Sequence, residues 1–200
     1  MTERGQHMFT IGHSNHSVEA FLRLLQANGV ELVVDVRSHP YSKYAPQFDR
    51  PALEGAVAAA GMRYLYLGRE LGGRPEGPEF YDEEGHVLYD VLRESPPFLA
   101  GISRLIEEAS TSRVAILCGE EDPTQCHRRF LVGHVLSARG VVVEHIRGDG
   151  RLQTEETLCL EELRGQDDRQ LMLFAAEEVA ECRSSPSVSQ RKRRPSSSER

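Results

Sequence analysis

The sequence predicts an α/β fold in which a mostly parallel sheet of about five strands is covered by helices on both faces. Short apolar runs alternate along the chain with stretches that have helical spacing. The apolar runs are nearly continuous and rich in β-branched residues, which is typical of strands buried on both faces. These observations together indicate a single three-layer, Rossmann-like domain.

The first βαβ unit has clear boundaries in the sequence. A short strand covers residues 8–11, and Asn15 or Ser17 can cap the helix that follows it. That helix keeps its apolar spacing up to the stop at Asn28-Gly29. Residues 31–37 then form the clearest strand in the sequence.

The middle of the chain predicts a second helix over residues 51–60 and a third strand over 63–67. Residues 68–88 contain five glycines and two prolines and show no periodicity, which predicts a functional or mobile loop, such as a lid. Helical spacing resumes over residues 89–108, with a break at Pro96-Pro97.

The fourth strand covers residues 114–117 and leads into a polar loop. Asp122 can cap a helix that begins at Pro123 and continues to about Arg139. A fifth strand follows over residues 141–146. Residues 154–182 have helical character, and their last part, residues 171–180, is predicted to dock on the domain.

Composition predicts one domain over residues 1–182 and a basic tail over residues 183–200. The chain has 200 residues, of which 39% are apolar, enough for one sizeable core. The tail has six Arg or Lys against one acid, so the net charge of −7 leaves −12 on the rest of the chain. Because the tail is mostly Ser, Pro and Arg, it is predicted to be disordered. An acidic body argues against a broad phosphate-binding surface.

The sequence favours a cytoplasmic protein with no membrane partner, because it has no apolar run of about 18 residues and no signal-peptide pattern at its start. Its four cysteines (Cys118, Cys126, Cys159 and Cys182) are too scattered for a disulfide framework and are predicted to be thiols. No pattern indicates a cofactor, and the oligomeric state is left open.

Polar side chains that follow the strands define a candidate site. Because the carboxyl ends of parallel strands meet at one edge, residues far apart in sequence are expected to converge there. The opposite edge has little besides the helix stops at Gly29, Gly61 and Gly140. The candidate residues are His13, Ser14, Asn15, Asp35, Arg37, Ser38, Arg74, Cys118, Glu120, Cys126, His127 and Arg128.

Four ordered motifs also carry a resemblance to a known family. They are TIGHSN at 10–15, VDVRSHP at 34–40, LGGR at 71–74, and the segment 118–128 with its CGE start, Pro123 and CHR end. In this combination the chain resembles domain of unknown function family 488. The resemblance covers a core of about residues 8–147, without the helical extension at 150–182, and implies a compact α/β domain. It adds weight to the motif positions without implying a reaction.

Catalysis by a thiol is one interpretation of this site. Cys126 is predicted in the first turn of its helix, where the helix dipole and the neighbouring His127 and Arg128 favour a thiolate. Cys126 could then be a nucleophile, with His13 as general acid or base and Asp35 and Glu120 as further catalytic candidates. The nearby acids oppose this effect, and a cysteine that merely packs behind the loop is an equally good interpretation.

A metal site is a weaker interpretation. Cys118, Cys126 and His127, with His13 or His39, are suitable ligand types. Adjacent residues on a helix diverge by about 100°, however, so Cys126 and His127 are not expected to chelate one ion. The sequence therefore predicts no metal.

Three arginines at the same edge favour an anionic ligand. Arg37, Arg74 and Arg128 come from three loops, and guanidinium groups suit phosphate or carboxylate. Asp35, Glu120 and Asp122 could instead be their permanent counterions. The remaining polar candidates (Ser14, Asn15, Ser38, Cys118 and His127) are predicted to line the substrate pocket.

Two functional hypotheses follow. The first is a small enzyme with an anion-binding pocket at the carboxyl edge of the sheet, acting on a phosphorylated or nucleotide-like small molecule. The alternative is a non-catalytic, nucleic-acid-associated binding module that uses the basic tail, residues 183–200.

Overall fold

A computed structural model of the chain describes the backbone of residues 7–170 and the side chains of residues 7–163. The predicted docking segment at 171–180 and the predicted tail at 183–200 lie outside the described residues. Within residues 7–170, no helix is both long enough and apolar enough to cross a bilayer.

Six strands form one sheet in the spatial order β3-β2-β4-β1-β5-β6. The strands are β1 (His7–Gly12), β2 (Leu32–Asp35), β3 (Arg63–Tyr66), β4 (Val114–Cys118), β5 (Val142–Ile146) and β6 (Leu152–Thr154). The first five are mutually parallel, and β6 pairs with β5 in the antiparallel direction. The predicted α/β class with a mostly parallel sheet is confirmed. The sixth strand was not predicted, because its three residues form no apolar run.

Seven helices connect and cover these strands within the described residues. They are α1 (Val18–Ala27), α2 (Arg50–Ala59), α3 (Gly68–Leu71), α4 (Tyr89–Leu92), α5 (Pro96–Thr111), α6 (His134–Ala138) and α7 (Glu155–Gln170). Ser17, one of the two predicted caps of α1, accepts a hydrogen bond from the backbone N–H of Ala20. The predicted break at Pro96-Pro97 is the start of α5.

Alternation along the strands divides the core into two layers. In β4, Val114 and Ile116 pack with α5 and α6 on one face, whereas Ala115 and Leu117 pack with α1 and α2 on the other. All four side chains are fully buried. Central strands that are apolar on both faces need helices on both sides, which explains the three-layer arrangement.

The segment 123–139 is not the single helix that the sequence predicted. Asp122 caps the 3₁₀ turn Pro123–Gln125, Cys126 is extended with φ −133° and ψ 137°, and a π-helical turn at Arg128–Gly133 precedes α6. Tertiary contacts override the local helix signal here, since Cys126 and His127 both contact Cys118 at the end of β4. The prediction that Cys126 lies in the first turn of a helix was therefore wrong.

The segment 68–88 is more ordered than the sequence predicted. It contains α3, a 3₁₀ turn at Pro78–Phe80 and an antiparallel bridge between Tyr81 and Val87. Leu71 is fully buried and Val87 is nearly so, and both belong to the core on the α5 side. These two apolar residues anchor the segment to the domain.

Candidate functional site

A chain of hydrogen bonds links three side chains at the carboxyl ends of β1 and β2 with Tyr64 on β3. Arg37 donates from Nε and Nη2 to the two carboxylate oxygens of Asp35, at 2.9 and 2.6 Å. The hydroxyl of Tyr64 donates to the same carboxylate at 2.6 Å. The third guanidinium nitrogen of Arg37 lies 3.1 Å from Nε2 of His13. Asp35 is fully buried, so this network supplies the counter-charge that its carboxylate requires.

His13 is a neutral member of this chain. Burial, assisted by the nearby guanidinium of Arg37, lowers the pKa of His13 to about 4. A neutral imidazole has one donor and one acceptor nitrogen. Nδ1 donates to the carbonyl of Ser14 at 2.9 Å, and Nε2 accepts from Arg37. The ring also stacks on Phe48, with 4.4 Å between the ring centroids.

Two thiols and an imidazole form a second cluster on the other face of the sheet. Sγ of Cys118, Sγ of Cys126 and Nδ1 of His127 all lie within 4.8 Å of one another. Nδ1 is 3.6 Å from Cys118 and 4.0 Å from Cys126, and Nε2 of the same ring is 3.2 Å from the carbonyl oxygen of Val36. We call these three residues the thiol–imidazole cluster. The 100° divergence expected of adjacent helical residues does not apply, because Cys126 is extended.

The two thiols differ in how readily they ionise. Hydrogen bonding to Cys126, together with burial, raises the pKa of Cys118. Burial also opposes ionisation of Cys126, but its contacts with Cys118, His127 and Arg128 outweigh it and lower the pKa of Cys126. The charge expected on Cys126 therefore comes from side-chain neighbours and not from a helix N-terminus.

A glycine loop after α3 packs on the thiol–imidazole cluster. A Cβ atom on Gly73 would lie 2.6 Å from Cγ of His127, so only glycine lets the backbone approach the imidazole this closely. The next residue, Arg74, donates its backbone N–H to Oγ of Ser38 at 3.0 Å, and its side chain is exposed. An arginine with an exposed side chain thus directly follows the glycine that packs on His127.

Arg128, predicted to hold an anion, has a structural position instead. It is fully buried, and its three guanidinium nitrogens donate to the carbonyls of Glu120 and Glu121 and to the hydroxyl of Thr10. These bonds hold the loop between β4 and the 3₁₀ turn against β1. A Cβ atom on Gly12 would collide with the carbonyl of Glu120, so β1 and this loop are in direct backbone contact. We therefore do not count Arg128 among the groups that reach a ligand.

Three other predicted residues lie near the same edge, and they differ in their exposure and in the contacts they make. Ser14 has a positive φ of 45°, donates its backbone N–H to the carbonyl of Gly119, and accepts at its own carbonyl from Nδ1 of His13. Asn15 is exposed, and it is Ser17 that caps α1. The side chain of Glu120 is exposed as well, and its backbone carbonyl contacts Arg128. None of these contacts assigns Asn15 or Glu120 a role in chemistry.

The candidate residues chosen from the sequence left out three that shape the site, although one of them, Gly73, belongs to the motif at 71–74. Tyr64 completes the acceptor network of Asp35, Phe48 supports the ring of His13, and Gly73 covers the ring of His127. Strand alternation could have indicated Tyr64. β3 lies beside β2 with Tyr66 opposite Asp35, and Tyr64, two residues before Tyr66, is on the same face of the sheet. No local signal identified Phe48, which reaches His13 through the loop between β2 and α2.

Comparison with known proteins assigns the chain to a family. The sequence profile of a family described as Domain of unknown function DUF488 matches residues 17–135, more than half of the chain. The chain belongs to this family. The resemblance noted in the sequence is therefore confirmed. Searches of curated proteins and of solved structures found no match to this DUF488 protein.

The matched range includes most, but not all, of the candidate site. It contains three of the four motifs, at 34–40, 71–74 and 118–128, and therefore the whole thiol–imidazole cluster. The first motif, at 10–15, lies before it, although His13 from this motif contacts Arg37. Membership in DUF488 supplies no reaction, so the function of this protein has to be argued from the geometry.

Proposed function

We propose that this DUF488 protein is a small enzyme that acts on an anionic small molecule, phosphorylated or nucleotide-like, at the carboxyl edge of its sheet. The observation that carries this proposal is the loop at 72–74, in which Gly73 packs on His127 and the next residue, Arg74, has an exposed side chain. A residue able to bind an anion thus directly follows the residue that contacts the reactive centre. Open parallel sheets commonly bind ligands at this edge.

The thiol–imidazole cluster supplies the reactive centre in this proposal. It is the only group of three or more Cys, His, Asp or Glu ligand atoms gathered this closely within the described residues. Three convergent side chains at the end of a buried strand cost stability through desolvation, and such costs are commonly found at functional sites.

Arg74 and Arg37 have different roles. Arg37 is tied to Asp35 by two hydrogen bonds, so its charge is largely neutralised within the domain. Arg74 is exposed, and no ion pair involves it among the described residues. Arg74 is therefore the group assigned to the substrate anion, whereas Arg37, paired with Asp35 and bonded to His13, has a structural part in this proposal.

Binding measurements test the anion. Titration calorimetry with inorganic phosphate, pyrophosphate and nucleoside mono- and diphosphates should detect at least one ligand. Arg74→Ala should weaken that ligand about 10-fold or more, as expected for the loss of a charge-assisted hydrogen bond. Arg104→Ala removes another exposed arginine, on α5, and should leave binding unchanged. Equal weakening in both variants, or no binding by any of these anions, would contradict the proposal.

Turnover measurements test the reactive centre. Wild-type protein should convert at least one phosphorylated or nucleotide-like compound in a panel, and Cys126→Ser should abolish that conversion. Cys159→Ser is the matched control, because Cys159 is an exposed thiol on α7 outside the cluster. A Cys126→Ser variant that keeps full activity would remove the cluster from the mechanism.

Nucleic-acid binding is the second candidate function. Besides the basic tail, the loop after β2 exposes Tyr41 and Tyr44, at 62% and 77%, and the ammonium of Lys43 lies 4.8 Å from the centroid of the Tyr44 ring. Exposed aromatic rings beside cations suit base stacking. Deleting residues 183–200 distinguishes the hypotheses: the binding module loses nucleic-acid retention, whereas the enzyme keeps its turnover.

A further inference from the structure

We propose that Cys118, Cys126 and His127 bind a zinc ion through two thiolate sulfurs and one imidazole nitrogen, leaving a fourth coordination position open. The inference rests on the proposed function for its purpose, since it identifies what the reactive centre holds. The binding itself is measured independently of turnover.

The spacing of the three ligand atoms fits a tetrahedral ion. Zinc–sulfur distances of about 2.3 Å and zinc–nitrogen distances of about 2.0–2.1 Å place a sulfur about 3.6 Å from a nitrogen and two sulfurs about 3.8 Å apart. Nδ1 of His127 lies 3.6 and 4.0 Å from the two sulfurs, and all three atoms are within 4.8 Å of one another. Small rotations of the side chains would complete the geometry.

His127 is oriented as a metal ligand. Its Nε2 lies 3.2 Å from the carbonyl of Val36, so Nε2–H donates there and the lone pair of Nδ1 faces the two sulfurs. Histidines that bind metals usually donate their other ring N–H to a carbonyl or a carboxylate in this way. The close approach of Gly73 fixes the ring from its other side.

The ligand types and their burial favour zinc. Cys118 is 7% exposed and Cys126 is 3% exposed, so both sulfurs are shielded from water and lie beside the same imidazole. Two sulfurs and one nitrogen form a donor set that suits zinc, and three protein ligands are typical of zinc sites that keep one position for water or substrate. The alternative to a metal site is a disulfide between Cys118 and Cys126. In that arrangement Nδ1 of His127 would have no ion to bind.

The three proposed zinc ligands come from two separate segments of the chain. Cys118 ends β4, and Cys126 and His127 follow the 3₁₀ turn at Pro123–Gln125, so a shared ion would tie the strand to the loop that leaves it. Arg74, whose side chain is exposed, directly follows Gly73, the residue that packs on the imidazole. The proposal therefore also explains why the glycine loop is packed on the imidazole.

The experiment uses the full chain, reduced and then titrated with Zn²⁺ against a chromophoric chelator. We expect one equivalent of zinc in wild-type protein by elemental analysis. Cys118→Ser, Cys126→Ser and His127→Gln should each weaken zinc binding by more than about 100-fold. Cys159→Ser removes a thiol outside the cluster and should bind zinc like wild type.

Substitution with Co²⁺ gives a second measurement that does not depend on the folding of the variants. Wild-type protein should show the thiolate-to-cobalt charge-transfer band and the visible bands of a tetrahedral site. Less than a tenth of an equivalent of zinc in reduced wild-type protein, or an octahedral cobalt spectrum, would overturn the inference. So would a Cys118–Cys126 disulfide that forms in place of metal binding.

The outcomes separate this inference from the proposed function. One equivalent of zinc without turnover on any phosphorylated compound supports the metal site and refutes the enzyme proposal. Turnover that depends on Cys126 in protein that binds no zinc supports the enzyme and refutes the metal site.

Discussion

The buried state of His13 makes the stability of this protein depend on pH in a calculable way. In the folded chain the pKa of His13 is lowered from 6.5 to about 4, first by burial and further by Arg37. The unfolded chain therefore takes up a proton on this residue at a higher pH than the folded chain does. Stability from the neutral imidazole is fully present above about pH 6.5 and is lost as the pH falls toward 4.

The size of the effect follows from the two pKa values. At about pH 5 the unfolded state is almost fully protonated at His13 and the folded state is mostly neutral, which corresponds to about 2 kcal/mol of lost unfolding free energy. At about pH 7.5 the same contribution is close to zero. A loss of this size is a large part of the stability of a typical domain.

Urea unfolding of wild type and His13→Gln at these two pH values isolates the contribution. The substitution itself changes the unfolding free energy at both pH values. On acidification, however, the unfolding free energy of the variant should fall by about 2 kcal/mol less than that of wild type. His134→Gln, which removes an exposed imidazole on α6, should keep the wild-type response. Equal losses in wild type and His13→Gln would refute the assignment of His13 as a buried, neutral residue.

Two further predictions concern residues that support the site. Arg128→Lys should reduce the unfolding free energy by about 2–4 kcal/mol, because one ammonium group cannot replace the bonds to Thr10 and to two loop carbonyls. In the same urea titration the exposed Arg104→Lys should cost under about 0.5 kcal/mol, and a similarly small cost for Arg128→Lys would be inconsistent with its burial. Gly73→Ala should displace the imidazole of His127 and weaken zinc binding about 10-fold, measured by chelator competition. Gly55→Ala, on α2 with open space around it, should leave zinc binding intact, and unchanged binding in Gly73→Ala would argue against the contact.

Much of the fold could be predicted because its signals are local. The apolar run at Val114 to Leu117 is β4, and the glycines at 29, 61 and 140 follow α1, α2 and α6 as expected of helix stops. Elements without a local signal were missed. The three-residue strand β6 forms because β5 offers it a free edge, and α3 forms because Leu71 packs into the core.

The candidate site was predictable in location but not in arrangement. Parallel strands bring their carboxyl ends to one edge, so His13, Arg37 and Cys118 were expected to be neighbours. The sequence treated Arg128 as a ligand-binding group, whereas burial turned its guanidinium toward loop carbonyls. It also treated Cys126 and His127 as divergent, which holds only on a regular helix.

The sequence by itself determined the layered sheet, the edge at which polar groups gather and the family. Strand alternation, helix stops and ordered motifs are patterns within short stretches of chain, so they can be recognised without the tertiary structure. The tertiary structure alone decided which groups meet. The extended backbone at Cys126 lets Cys126 and His127 both approach Cys118, and the carbonyl of Val36 orients the ring of His127. Contacts at this site between residues up to 118 positions apart depend on packing, and no local pattern encodes them.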